Sequence, residues 1–521
     1  MTIQNDERSI KRALWWLLGI SALLRCILAA TIEFGNDEVY YWTYALYPDW
    51  SHFDHPPMVG WMIQLFSLNL LLDSEFFIRL SSIVFMTFNT WLMFRIGKAI
   101  KDSMTGLYAA LLYTASVYAF VITGIFIMPD TPLNLFWLLA FWMAVKYFHS
   151  ERPRNLHLIL VGLFTGLAIL SKYTGVFIWV GVGLYILLFD RKHLKNPYLY
   201  LSILISALCC LPILYWNMQH DFISLGFHGS RVSLFGKPNF RYFGTELAGE
   251  FFYNNPVNFV LAILATVAAF RGKIGIEKSV SRLVLCVALP LIAVFLFFSL
   301  TRPTLPHWNS PAYNLLILLS ACLFSSKPIG NGNRVAIPKS ILAAMAVLLL
   351  VVGIGCAEIQ TGFIPLDHNT EAERLGHDDF TLDMYGWHQL GTQFADLREE
   401  QIAQGLMKEE DGIVADQWFP LANIDYYVAR PLHLRVMGLG KPENLHKYIW
   451  INEDRGGFHP GEDYWFLADS RYMKKPNELY PNQFNSIELV GIIPIERGGK
   501  TVKNFFVYAC KGYSAAPSSL P

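Results

Sequence analysis

The stretch PMVGWMIQLFSLNLLL, residues 57–72, decides the topology of the whole chain. It is one of twelve apolar stretches; the others are 12–31, 75–97, 104–127, 132–148, 155–171, 174–189, 198–217, 256–270, 282–300, 311–325 and 339–359. A helix needs about 20 apolar residues to cross a bilayer core. Counting 57–72 as a crossing reverses the side of every later loop, and the placement of Lys and Arg chooses between the two counts. With 57–72 left out, 19 basic residues fall on one side, in six clusters that begin at Arg8, Arg95, Lys146, Arg191, Arg271 and Lys327. Only Lys172, Arg231, Lys237, Arg241 and Arg302 fall on the other. Basic loops stay in the cytoplasm, so the N-terminus reads as cytoplasmic, with about eleven spans. Segment 57–72 is short, follows Pro56-Pro57 and carries Gln64, Ser67 and Asn69. It reads as a helix lying at the outer interface.

Composition agrees with a membrane protein. Of 521 residues 54% are apolar and 16% charged, against about a quarter charged in soluble proteins. The 41 basic and 41 acidic residues cancel, which leaves no charge-based case for nucleic-acid binding, and the apolar content excludes disorder. The cancellation hides a division: residues 1–359 carry 26 Lys/Arg and 18 Asp/Glu, residues 360–521 carry 15 and 23. The expected architecture is a polytopic α-helical membrane domain over 1–359 and an extracytoplasmic soluble α/β domain over 360–521. In the latter, Ile413–Trp418, Leu432–Met437, Tyr464–Ala468, Glu488–Ile495 and Asn504–Ala509 read as strands, and 386–406 and 420–429 as helices. The first span reads as an uncleaved anchor. Cys510 is alone in the C-terminal part, and no CxxC or Cys/His array suggests zinc.

Polar groups crowd the outer face. The first outer loop, EFGNDEVYYWTYALYPDWSHFDHPP (33–57), holds five acids, His52, His55, eight aromatic residues and no Lys or Arg. If 36–46 is helical, Asp37, Tyr41 and Tyr44 share a face. A carboxylate beside aromatic rings at a membrane surface suits a sugar, because the acid accepts a hydroxyl proton while rings stack on C–H faces. Asp130, in MPDTP, stands beside hydrocarbon, where a carboxylate is costly unless paired or coordinated; it also stands where it would cap the helix that begins near Pro132. Lys172 lies at a span end, and TRPTLPHWNS (301–310) supplies His307 and Trp308. The 218–255 loop carries His228, Arg231, Arg241, Glu246 and Glu250.

NDEVYYW, FDHPPMVGW, MPDTPLNLFW and PHWNSPAYN, in this order, resemble the bacterial protein-mannosyltransferase-like family. That family includes the lipid A aminoarabinose transferases, within the GT-C class of membrane glycosyltransferases. The resemblance covers roughly 10–325 and implies an inverting transferase that takes its sugar from a polyprenyl-phosphate donor on the non-cytoplasmic side. The acceptor would be lipid A, another envelope glycan or a protein. It assigns Asp37, with Glu38 beside it, as the catalytic acid after the first span and Asp130 as the second acid. It implies a divalent cation held by Asp37 and Asp130 and no nucleotide cofactor. Arg231 falls near the family's phosphate-binding Arg, with Arg241 close by, and Lys172 is a further cation for the donor phosphate. His55 falls where the aminoarabinose transferases carry a Lys; the acids Asp49 and Asp54 are expected to raise its pKa. Tyr41, Tyr44, His307 and Trp308 would line the sugar site.

A transporter or flippase of lipid-linked sugars is the competing class. Transporters place charge near the bilayer midplane in repeated halves, whereas here the spans are nearly free of charge apart from Arg25 and Arg79. Topology is testable directly. A cysteine at Asp73 is expected to react with a membrane-impermeant maleimide added from outside, and one at Lys98 to stay protected. The reverse pattern would make 57–72 a crossing.

Overall fold

The computed structural model describes residues 2–4, 6–231, 237–325 and 334–514, with backbone alone for 2–4, 230, 231 and 334–336. The helices in chain order are α1 (Glu7–Thr31), α2 (Asn36–Leu46), α3 (Met58–Phe66), α4 (Glu75–Ile100), α5 (Ser103–Ala115), α6 (Asp130–Phe148), α7 (Asn155–Ser171), α8 (Phe177–Phe189), α9 (Pro197–Cys209), α10 (Leu211–Gln219), α11 (Ile223–Arg231), α12 (Phe240–Tyr253), α13 (Pro256–Phe270), α14 (Lys278–Ser299), α15 (Ser310–Ser325), α16 (Lys339–Thr361), α17 (Trp387–Ala403) and α18 (Trp418–Ile424). The strands are β1 (Thr2–Gln4), β2 (Arg334–Ala336), β3 (Gly412–Ala415), β4 (Val436–Gly438), β5 (Tyr464–Asp469), β6 (Phe484–Arg497) and β7 (Lys500–Tyr513). Each of the eleven stretches read as spans contains a helix, although in 104–127 it gives way after Ala115 and residues 123–127 are not helical. Among the described residues, five helices meet the length and apolarity of a crossing: α1, α4, α9 with α10, α14 and α16.

Segment 57–72 yields only α3, nine residues long. At about 1.5 Å per residue it is too short to cross a core of about 30 Å. Its C-terminal side is closed by Leu68, Asn69 and Leu70, all at positive φ. An independent constraint comes from β1, which pairs antiparallel with β2. Paired strands share one face of a membrane, so the chain crosses an even number of times between Gln4 and Arg334. The ten apolar stretches read as spans before Arg334 are consistent with an even number.

The chain forms two compact units, Met1–Ala30 with Pro48–Val351, and Thr31–Tyr47 with Val352–Pro521. The expected boundary at 359/360 therefore falls inside α16, at 351/352, and the second unit also takes residues 31–47 from the first outer loop.

The first unit is a helical bundle whose helices meet through small residues. Gly162 and Gly166 on α7 face Ser202 and Ser206 on α9: a Cβ at Gly162 would lie 2.2 Å from the Ser202 carbonyl oxygen. Ser202 Oγ donates to the Leu158 carbonyl at 2.8 Å, and Ser206 Oγ to that of Gly162. Without a hydrophobic drive between helices in lipid, such close backbone contacts and buried hydrogen bonds carry the association. Asn255 forms the joint between α12 and α13, which meet at 101°. Its φ is +69°, its Oδ1 accepts from the Val257 N–H, and its Nδ2 reaches the carbonyls of Ala115 and Ala344, both at 2.9 Å. α12 thus turns away from the line of the span.

In the second unit a five-stranded sheet has the order β4-β3-β5-β7-β6, parallel on the β4 side and antiparallel beyond β5. The β6–β7 hairpin turns on Gly498 and Gly499, at φ +59° and +76°, a conformation glycine adopts without a Cβ penalty. α17 lays Trp387 and Phe394 against Phe505 and Trp465. Residues 31–47 belong here for identifiable reasons. The Glu33 carboxylate accepts the N–H groups of Trp387 and His388 at 2.9 and 3.0 Å, capping α17. Tyr40 packs on Trp418, and Trp42 and Phe34 pack on Tyr426.

Substituting Ala for Gly162 is expected to destabilise the first unit by about 1–3 kcal/mol, the range for overpacking a tight contact. Thermal unfolding in detergent measures this. A midpoint equal to wild type would show that α7 and α9 have room to separate.

Candidate functional site

Asp130 opens α6 after a Pro129 whose backbone is already helical, and its side chain does not cap the helix. Its carboxylate instead meets two other elements. Oδ2 accepts from Lys172 Nζ at 2.6 Å, with side-chain exposures of 1% and 7%. Oδ1 accepts from the Tyr118 hydroxyl at 3.2 Å. Both partners are delivered by interruptions in helices. Lys172 occupies the extended residue between α7 and the 3-10 turn Tyr173–Val176. That turn closes because Gly175 lies against α7, where a Cβ would come within 2.5 Å of the Ala168 carbonyl carbon. Tyr118 heads a π-helical turn, Tyr118–Ile122, that follows α5; such turns re-aim side chains at functional sites. Sequence reading missed Tyr118, since one hydroxyl in an apolar run carries no signal.

Around this pair stand His55, His307 and Trp308, so the structure brings together Asp130, Lys172, His55, His307 and Trp308. Lys172 Nζ lies 5.8 Å from the centre of the Trp308 ring, and Trp308 rests edge-on against Phe295. Electrostatic neighbours of His55 are Asp54, Lys172, His228 and Asp130; those of His307 are Asp130 and Lys172. His228, from α11, sits against Tyr173, and its Nε2–H donates to the Asp54 carbonyl at 2.7 Å. The expectation that acids raise the His55 pKa is overturned. Burial, the largest effect, outweighs Asp54 and pushes it down to about 4, and burial does the same for His307. Both imidazoles are therefore neutral near pH 7. In that form each donates one hydrogen bond but adds no charge.

Of the remaining predicted residues, Asp37, Glu38, Tyr41 and Tyr44 belong to the second unit and Arg231 and Arg241 to the first. Asp37 is exposed on the first turn of α2, in the second unit. Glu38 is buried and its Oε2 accepts the Gly35 N–H at 3.1 Å, completing a capping arrangement. Tyr41 and Tyr44 do not form an open sugar-stacking face with Asp37. They are 4% and 0% exposed and pack on each other and on Tyr40, with Lys447 above Tyr44. An eleven-residue helix enclosed by its own unit buries almost every side. Arg241 is exposed on α12; Arg231 ends α11, and its side chain lies outside the described residues. The residues at Asp130 do not fit a divalent ion as they stand, because its two oxygens already meet an ammonium and a hydroxyl. Among the described residues no group of three or more His, Cys, Asp or Glu side chains is placed to hold a metal.

The buried imidazoles make stability depend on pH. Their folded-state pKa lies below the ordinary 6.5, so as pH falls the unfolded chain takes up protons first. Stability is full above pH 6.5 and is lost between 6.5 and 4, by about 3 kcal/mol per imidazole at most. His55→Gln is expected to reduce the fall in thermal midpoint over that interval. An unchanged slope would show that His55 is solvated.

Comparison with known proteins follows this geometry. Residues 54–216 match the family model described as dolichyl-phosphate-mannose-protein mannosyltransferase. The chain is 23% identical over 302 residues to the lipid A galacturonosyltransferase RgtD of Rhizobium johnstonii, covering 57% of this chain and 61% of that protein. It is 28% identical over 321 residues to the undecaprenyl phosphate-alpha-4-amino-4-deoxy-L-arabinose arabinosyl transferase of Pseudomonas aeruginosa, covering 57% and 54%. The matches thus span little more than half the length of these relatives. In structure the chain resembles ArnT from Cupriavidus metallidurans, in the apo state and bound to undecaprenyl phosphate. The TM-scores are 0.60 and 0.61, at 13% identity over 95% of this chain and 97% of that one. At that identity the likeness establishes the fold. By its fold the chain is a polytopic membrane protein of the ArnT type, and over residues 54–216 it is similar to the dolichyl-phosphate-mannose-protein mannosyltransferase family.

Proposed function

We propose that this protein transfers a sugar from a polyprenyl-phosphate donor to an envelope acceptor of the lipid A class, on the outer face of a bacterial cytoplasmic membrane. The observation that carries the reading is the buried Asp130–Lys172 pair, flanked by two neutral imidazoles and Trp308. The curated relatives act on lipid A or on an undecaprenyl-phosphate sugar by name, and the structural relative is known with undecaprenyl phosphate bound.

The chemistry follows from charge. As the acceptor oxygen attacks the anomeric carbon, the bond to the lipid phosphate breaks and negative charge grows on the phosphate. A preorganised ammonium in a water-poor site stabilises that charge more than water would. Lys172 has three N–H donors, and one is fixed by Asp130, which aims the ammonium. His55 and His307 add hydrogen bonds without charge, and Trp308 offers a ring face to the sugar. Lys172, one of the cations expected at the donor phosphate, thereby supplies the charge that a neutral His55 does not. For the base that accepts the hydroxyl proton, the family resemblance supports Asp37, which its own unit leaves exposed to solvent. Inversion at the anomeric carbon follows from this single displacement. The N-terminus is cytoplasmic and the second unit exported, on the strength of the basic-residue asymmetry.

The test uses purified protein in lipid vesicles, with undecaprenyl-phosphate-linked 4-amino-arabinose or galacturonic acid as donor and lipid A as acceptor, and products read by mass spectrometry. Asp37→Asn is expected to lower transfer at least 100-fold. Lys172→Met should weaken undecaprenyl phosphate binding about 10- to 100-fold, as expected for one charged hydrogen-bonding partner. A wild-type protein that binds no undecaprenyl phosphate and turns over neither donor would refute the reading.

A further inference from the structure

His307 and Trp308 reach Asp130 and Lys172 from a short loop, and α12 grips that loop on both sides of them. Glu246 and Glu250, one turn apart on α12, are completely buried. Thr304 Oγ1 donates to Glu246 Oε2 at 2.6 Å. Tyr313 OH donates to Glu250 Oε2 at 2.7 Å. Asn309 Nδ2 bridges the two carboxyl groups, at 3.2 Å from Glu246 Oε1 and in a shorter contact with Glu250 Oε1. Between the two acids, Gly249 lets the Pro306 ring sit directly on the helix; a Cβ at Gly249 would lie 2.1 Å from Pro306 Cγ. Residues 304, 306, 309 and 313 are thus fixed to α12, while the His307 ring lies beside Tyr253 at the end of that helix and Trp308 against Phe295.

Burying two carboxyl groups with only neutral donors is costly, because no cation among the described residues offsets their desolvation. Such an arrangement, within the five residues 246–250, is far more than α12 needs to form a helix. We propose that Glu246, Gly249 and Glu250 are positioning residues: they latch the 304–309 loop so that His307 and Trp308 stay over the Asp130–Lys172 pair. The proposal rests on reading that pair as the donor-phosphate site. Burial pushes the Glu250 pKa up to about 7, and Glu246 is raised as well, with Thr304, Tyr313 and Asn309 partly opposing. A glutamine, neutral and nearly the same shape, is therefore an adequate substitute at 250.

Two readouts separate the latch from the function it serves. Lys172 is 6% exposed, and its reaction with acetic anhydride, followed by peptide mass spectrometry, reports whether the loop still covers it. Binding of undecaprenyl phosphate reports the site itself. Glu250→Ala is expected to acetylate at Lys172 at least tenfold faster than wild type and to bind undecaprenyl phosphate about tenfold more weakly. Glu250→Gln should stay within twofold of wild type on both, a rescue that a general loss of packing would not show. If Glu250→Ala does not fold, Gly249→Ala carries the same expectation, since it removes no acceptor and only wedges a methyl against Pro306. Lys172 acetylating as slowly in both Ala variants as in wild type would overturn the latch. A wild-type protein that binds no undecaprenyl phosphate would remove the phosphate reading, while Lys172 acetylation would still decide the latch.

Discussion

A carboxylate at the edge of hydrocarbon keeps its charge only beside a cation, and here that cation is Lys172, 2.6 Å from Asp130. Removing one member of a buried pair leaves an uncompensated charge, worth about 3–5 kcal/mol, so the helices that carry the two residues are coupled through them. α6 presents Asp130 at its first residue, and the break between α7 and α8 presents Lys172. Tyr118 joins only because α5 gives way to a π-helical turn. The site is therefore assembled from helix interruptions, where backbone irregularity aims side chains that a continuous helix would send into the core.

At the centre of this site one ammonium meets one carboxylate, with the imidazoles held neutral by burial. The pair is balanced in the resting protein, which spares the surrounding apolar residues an unpaired charge. A phosphate entering such a site meets a cation whose orientation is already fixed, and so loses little to reorganisation. Rigidity of the surroundings then matters as much as the charges. That gives a physical reason for a helix outside the spans to be bound so closely to the 304–309 loop.

The second unit shows how a loop can serve a domain far along the chain. Glu33 caps α17, and the rings of Phe34, Tyr40 and Trp42 fill the interior around Trp418 and Tyr426. Aromatic residues that look from the sequence like an open sugar platform are consumed as core. The helix over 36–46 and the placement of Asp37 on its first turn were legible; the partner surface was not, since it comes from residues some 380 positions away.

Sequence by itself determined the membrane class, the helical stretches, the shortness of the helix in 57–72 and most strands of the C-terminal sheet. All of these depend on local apolar runs, period and charge, which a sequence displays directly. It also singled out Asp130, Lys172, His307 and Trp308, because polar groups beside hydrocarbon are expensive and so conspicuous. Only the tertiary structure decided which polar groups meet. Lys172 pairs with Asp130 across 42 positions, burial turns His55 from a presumed cation into a neutral imidazole, and Glu246 and Glu250 become a grip on a distant loop. Ionisation and pairing depend on what surrounds a group in space, and that surrounding is contributed by elements whose order along the chain gives no measure of their distance.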